Sequence, residues 1–176
     1  MAIYLTMMEI TIRNAIPDDV PLILTFINKK SEFDRRIGAF SGVLHVTEEK
    51  LYQTLFGTLP YSYVLFAGLS GLDVGFAVYG FRYSSFAGQP NIWLDDLFVN
   101  ANARGQGVGA ELMQHLAHIA KTHDCTHLGW TANARNVHGL RFYRRLGAEI
   151  TTQQGDRCFL TWVPASLTAD SLTADS

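Results

Sequence analysis

The sequence predicts a single α/β domain built on a mixed sheet, and three observations carry that expectation. Segments with helical and with strand periodicity alternate along the chain, three strand-like runs follow one another in its middle, and a glycine-rich turn then leads into a long amphipathic helix. With 176 residues, 48% of them hydrophobic, the chain is long enough for one core and short for two.

The elements follow in order. Ile10 and Ile12 alternate with Glu9, Thr11 and Arg13, the period of two of a half-buried strand. Pro17-Asp18-Asp19 opens a helix whose apolar stripe is Leu22, Ile23, Phe26 and Ile27, and which is expected to fray into the charged stretch 29–36. Thr47, followed by Glu48 and Glu49, reads as an N-cap with first-turn acids and starts a second helix ending near Gly57. Residues 61–69, 72–83 and 92–99 are rich in β-branched and aromatic side chains and are separated by Ser/Gly or Gly/Pro turns, as in an antiparallel meander. From Gly107 a long helix carries Val108, Leu112, Leu116, Ile119 and Ala120 on one face, and 127–132 reads as the next strand. A shorter helix over 137–146 stops at Gly147, and strands over 149–152 and 157–163 close the sheet. The segment SLTAD, starting at Ser166, repeats at Ser171 and cannot bury enough apolar surface to offset its ordering entropy. The expected domain is therefore 1–165, followed by a disordered tail over 166–176.

Charge and composition exclude several function classes. A formal net charge of −2 without any Lys/Arg run offers no field for a nucleic acid backbone. No uninterrupted apolar run approaches the roughly 18 residues of a membrane span, and the opening residues lack the pattern of a signal peptide, so a cytoplasmic protein is expected. Cys125 and Cys158 stand alone, which writes neither a disulfide framework nor a CxxC metal site. His115, His118, His123 and His127 read as a helix surface and the turn after it, and no metal is expected.

The most informative segment is Leu94-Asp95-Asp96-Leu97-Phe98-Val99, followed after a short loop by Arg104-Gly105-Gln106-Gly107-Val108-Gly109 at the mouth of the long helix. A helix N-terminus presents unpaired N–H groups and the positive end of the macrodipole, and glycines let a phosphate approach the backbone. By itself such a string describes equally well a tight strand-to-helix turn without a ligand. It is neither the GxGxxG dinucleotide fingerprint nor a Walker A loop, since no Lys-Ser/Thr follows the glycines.

Arg104-x-x-Gly107-x-Gly109, preceded by Leu97-Phe98-Val99, resembles the acetyl-CoA-binding signature of the GCN5-related N-acetyltransferases (GNAT). Roughly thirty residues on, Asn136-x-x-Gly139-x-x-Phe142-Tyr143-x-x-x-Gly147-Ala148 resembles a later motif of the same family, and the pattern is most similar to its diamine and thialysine acetyltransferases. The resemblance extends over about 10–163 and is weakest between 29 and 46. It implies a GNAT fold: a mostly antiparallel sheet of about 6–7 strands, splayed at the cofactor cleft and flanked by about four helices. It also implies a homodimer. Acetyl-CoA would then pair its pantetheine amides with the backbone of Leu97, Phe98 and Val99. Its pyrophosphate would rest on the N–H groups from Arg104 through Gly105, Gln106, Gly107, Val108 and Gly109, with Asn136, which would also cap the helix it begins, and Arg145 as further contacts.

Acetyl transfer to nitrogen needs a neutral amine. A lysine-like amine, with pKa about 10.4, lies roughly 4–5 kcal/mol from neutral at pH 7. By resemblance Asp95 takes that proton, though close relatives carry a glutamate there. Adjacent residues on a strand point to opposite faces, so only one of Asp95 and Asp96 is expected to face the cleft. The coenzyme leaves as a thiolate of ordinary pKa about 8.5, and Tyr143 matches the family's general acid. Polyamine enzymes of this kind carry several acids after the first helix. Here Glu32 and Asp34, the candidate substrate contacts, are followed by Arg35, Arg36 and Ile37. Like-charge repulsion disfavours a polycation, so a small-molecule amine of lower charge or an amino acid is expected, with Arg35 or Arg36 available to a substrate carboxylate. A protein or peptide N-acetyltransferase and a non-catalytic acyl-CoA sensor are the alternatives.

Overall fold

The computed structural model describes residues 9–168. Strands β1 (Ile10–Asn14), β2 (Tyr63–Leu69), β3 (Leu72–Ser84), β4 (Gln89–Val99), β5 (Leu128–Asn133), β6 (Glu149–Gln154) and β7 (Arg157–Trp162) form one sheet in the order β1-β2-β3-β4-β5-β7-β6. Neighbours are antiparallel except β4 and β5, which run parallel. Helices α1 (Val20–Arg36), α2 (Glu48–Phe56), α3 (Val108–Thr122), α4 (Val137–Arg145) and the single turn α5 (Ala165–Thr168) complete the described fold. This is the mixed, mostly antiparallel sheet that the sequence predicts. Both cysteines are buried and free, and no helix among the described residues is long and apolar enough to cross a membrane.

The sheet buries side chains on both faces. Leu65, Ala67, Ala77, Ile92, Leu94 and Trp130 pack with Leu112, Met113 and Leu116 of α3 and Tyr143 of α4. On the other face Val64, Phe66, Phe76 and Phe98 pack with Val20, Ile23 and Phe26 of α1 and Leu51 of α2. Phe26 is the hub, with ring centroids 5.6 Å from Phe66, 5.2 Å from Phe76 and 6.4 Å from Phe98.

One detail of β4 lies beyond simple alternation. Ile92 and Leu94 belong to the α3 face, yet Phe98, of the same parity, belongs to the α1 face. The register explains it: Val78 pairs with Asp96 but Tyr79 pairs with Leu94, so Asp95 is the extra residue of a β-bulge. The bulge switches every later side chain of β4 to the other face.

Two sequence expectations need correction. The stretch 29–36 does not fray, because α1 stays helical to Arg36. Lys30 bonds Asp34 at 2.5 Å and Arg35 bonds Ser31 at 3.3 Å, both one helical turn apart, and Gly38 at φ +71° then ends the helix. Of the tail expected from 166, Ser166, Leu167 and Thr168 lie in α5 and Leu167 packs on the core. Residues 169–176 lie outside the described residues.

The turn into α3 uses glycine for its backbone. Gly105 and Gly107 have φ of +76° and +89°, and a Cβ on Gly107 would meet nothing closer than Ile10 Cδ1 at 3.6 Å. The cost of a side chain there is conformational. Gly107→Ala is expected to lower stability by about 1–2 kcal/mol, read as a lower urea midpoint at unchanged m-value. An unchanged midpoint would show that the turn relaxes.

Candidate active site

The site starts from backbone left unpaired. β4 and β5 pair at Ile92–Leu128, Trp93–Gly129 and Leu94–Trp130 and then diverge, although β4 runs on to Val99 and β5 to Asn133. Asn100 donates its N–H to Val74 O at 2.8 Å, so by the period of two Phe98 also bonds toward β3, while Leu97 and Val99 turn their amides into the gap. The expected strand-like pairing with a ligand is therefore open to Leu97 and Val99. Phe98 contributes its ring to the cleft wall instead, because its amide is committed to β3.

Beyond Val99 the gap widens into a cavity of about 790 Å³, lined by Leu97, Phe98, Val99, Arg104, Gly105, Gly107, Val108, Gly109, Asn136, Tyr143 and Arg145 among others. The first intrahelical bond of α3 runs from Glu111 N–H to Gly107 O at 3.0 Å, so the amides of Val108, Gly109 and Ala110 have no helical acceptor. These donors, with two open glycines before them, fit the pyrophosphate of acetyl-CoA.

The side chains of this turn, and the glycine at 109, serve the local structure as well. Gln106 turns away, its Nε2 donating to Asn102 O at 2.9 Å, and only its backbone remains beside the turn. Gly109 has no positive φ; a Cβ there would stand 3.2 Å from Phe142 Cζ, so it is small to let α4 pack on α3. Arg104 donates from Nε to Val99 O at 2.9 Å and lies 4.9 Å over the Phe33 ring, bracing the strand end while still lining the cavity. Asn136 caps α4 as expected, its Oδ1 accepting from Gly139 N–H at 3.0 Å.

A second cavity of about 210 Å³ opens where the strands part, lined by Leu94, Asp95, Trp130, Thr131, Asn133, Ala39 and Arg157. The two cavities share Lys30, Asp34, Leu97, Asn136 and Tyr143. Tyr143 is buried at this junction, its ring 4.9 Å from Trp130 and 5.2 Å from Phe142. Burial, and after it the charges of Asp96 and Asp34, pushes the phenol well above its ordinary pKa, so it is held protonated. Gly147 at φ +92° closes α4 behind it, with Ala148 N–H bonded to Tyr143 O at 3.0 Å.

The two aspartates part as the bulge dictates. Asp95 lines the smaller cavity, and burial raises its pKa against the opposing pull of Arg82 and a hydrogen bond from Trp93. Asp96 faces α1, where Lys30 Nζ stands 3.3 Å from its Oδ1 and 2.5 Å from Asp34 Oδ2. Burial also raises the Asp96 pKa, with Lys30 opposing. For Lys30 burial acts downward, but Asp96 and Asp34 outweigh it and its pKa is raised.

Asp34 is thus at the cleft, whereas Glu32 is exposed and lines neither cavity: residues 30, 33 and 34 share one helical face and 32 points about 200° from 30. Sequence reasoning missed Lys30, for which the Lys30–Asp34 spacing was the signal. Arg35 is spent on the loop, bonded to Ser31 Oγ at 3.3 Å and Gly42 O at 3.1 Å, and neither Arg35 nor Arg36 lines a cavity. Arg135, also missed, donates to Gly38 O at 2.9 Å and pairs with Asp156 at 3.1 Å, tying the segment after α1 to the β5–α4 turn. Trp130 Nε1 is the one buried side-chain donor among the described residues without a partner.

The family model of the acetyltransferase (GNAT) family matches residues 36–148. The chain is 30% identical over 159 residues to the thialysine N-epsilon-acetyltransferase of Bos taurus, covering 85% of this chain and 91% of that one. It is 24% identical to the L-ornithine N5-acetyltransferase of Arabidopsis thaliana, over 93% of this chain and 86% of that one. The fold is shared with an N-acetyltransferase of Thermoplasma acidophilum solved in complex with coenzyme A, at a TM-score of 0.65 and 14% identity, over 88% of this chain and 98% of that one. With the family model matched over most of the fold and a relative 30% identical along most of the chain, the chain belongs to the acetyltransferase (GNAT) family.

Proposed function

We propose that the protein transfers the acetyl group of acetyl-CoA to the primary amine of a small molecule, by direct attack with both substrates bound. The observation that carries this reading is the meeting of the two cavities at Tyr143, one edged with free amides and the other with Asp95. Acetyl-CoA, when bound, supplies the thioester. The amides of Val108, Gly109 and Ala110 hold its phosphates, and Leu97 and Val99 extend the β4 edge along its pantetheine arm.

Asp95 accepts the proton of the incoming ammonium and passes it to solvent, leaving a lone pair free to attack. A carboxyl raised by burial is a better proton acceptor than an exposed one. Tyr143, held protonated, gives its O–H proton to the sulfur as the C–S bond breaks, and the proton shed by the acylated nitrogen passes to the phenolate and restores it. Lys30 pairs with Asp34 in the wall the two cavities share and with Asp96 behind it, leaving one more acid than base beside the acceptor's cation. A cavity of about 210 Å³ suits a small amine.

Tyr143→Phe is expected to lower kcat by about 100-fold or more while leaving the calorimetric affinity for CoA within about twofold. An unchanged kcat would remove Tyr143 from the chemistry. The pH dependence of kcat gives a separate check. Because burial raises the Asp95 pKa, the carboxylate is lost at a higher pH than an ordinary aspartate, and the acid-side fall in activity is displaced upward with it. Asp95→Asn is expected to move that limb up toward the amine's own value of about 10.4. The raised Tyr143 pKa means no descending limb near the ordinary phenol value of about 10. An acid limb that stays in place in Asp95→Asn would exclude Asp95 as proton acceptor.

A further inference from the structure

The smaller cavity has two chemically different ends. At the parting of the strands stand Asp95 and, across from it, Asp34 with Lys30. At the far end stands Arg157, the first residue of β7, paired in register with Asn133 of β5. Alternation along β7 sends Cys158, Leu160 and Trp162 into the core with Trp130, so Arg157 projects from the opposite face with Thr131 and Asn133, all three lining the cavity. Among the described residues its guanidinium has no hydrogen bond or ion pair. The adjacent Asp156 is taken by Arg135 at 3.1 Å, so nothing neutralises Arg157 locally.

We infer that Arg157 is a carboxylate-binding residue of the acceptor site, and that the acceptor is an amino acid acetylated on its side-chain amine rather than a diamine. The inference rests on the proposed amine acetylation and deepens it. Asn133 lies three residues beyond Trp130, the last residue of β5 paired with β4, which sets Arg157 about 10 Å along the sheet from the start of the split. A lysine-like chain spans about 7–8 Å from its terminal nitrogen to its carboxyl carbon, a hydrogen bond of about 3 Å at each end extends that reach, and the long Arg157 side chain covers part of the two strand spacings from β7 back to β4. With its amine at Asp95, such a molecule brings its carboxylate to the guanidinium, which can bind it through two parallel N–H donors. A diamine of the same length would bring a second cation to Arg157 instead.

Steady-state kinetics with lysine and with lysinamide, which keeps both amines and loses only the carboxylate, tests this in wild type and in Arg157→Gln. The ratio of kcat/KM for lysine over lysinamide is expected to be about 10 to 100 in wild type and to fall to near one in the variant, with partial return in Arg157→Lys. Calorimetric binding of lysine to the CoA-loaded protein reads the same contact without turnover, and Kd is expected to weaken by a similar factor in Arg157→Gln. A wild-type ratio near one, or an unchanged ratio and Kd in the variant, would overturn the assignment. Arg157-dependent binding of lysine without acetylation of any amine would keep the carboxylate site and overturn the proposed reaction.

Discussion

Strands β4 and β5 hold one another over three residue pairs and then part, and the remainder of the site follows from that separation. A parallel pair in the middle of a sheet is normally bonded along its length, because buried amides without partners are costly. Here the gap is kept open from both sides. The bulge at Asp95 turns β4, and α4, packed through Phe142 against Gly109, stands where it can line the opening. The unpaired amides of Leu97 and Val99 are left for a ligand to satisfy. The same separation puts the N-terminus of α3 at the wide end of the gap and Tyr143 at its apex.

Electrostatics divide the labour at that apex. Tyr143 is buried and close to acids, which keeps the proton on its oxygen; Asp95 is raised but faces the smaller cavity, where the proposed reaction would have it take a proton and return it to solvent. Asp96, one residue on, is steered by the bulge to Lys30 on the α1 side and lines neither cavity. Two adjacent carboxylates of identical type thereby acquire different roles from backbone geometry alone. Lys30, bonded to both Asp34 and Asp96, ties α1 to β4 across the cleft.

Much of this was legible in the sequence. Strand and helix periodicity located each element within a few residues, Thr47 and Asn136 cap the helices they were expected to cap, and Gly147 ends α4 in the left-handed conformation. What escaped was whatever depends on non-local geometry. A bulge leaves no mark in an apolar pattern that is half polar at Asp95-Asp96. The helix through 29–36 was hidden because its stabilising pairs are charged rather than apolar. Glu32 and Asp34 look alike as letters and differ only by their angle around α1. Arg157 carries no motif; it becomes conspicuous only when β7 is seen beside β5 and its neighbours are seen to be otherwise engaged.

The most direct measurement is a crystal structure with a bisubstrate analogue in which the sulfur of coenzyme A is joined through an acetyl unit to the side-chain amine of lysine. The account expects the pyrophosphate on the amides of Val108, Gly109 and Ala110, the sulfur beside the Tyr143 hydroxyl, and the lysine portion in the smaller cavity past Asp95. An analogue bound with its sulfur remote from Tyr143, or with its lysine outside the split between β4 and β5, would contradict it.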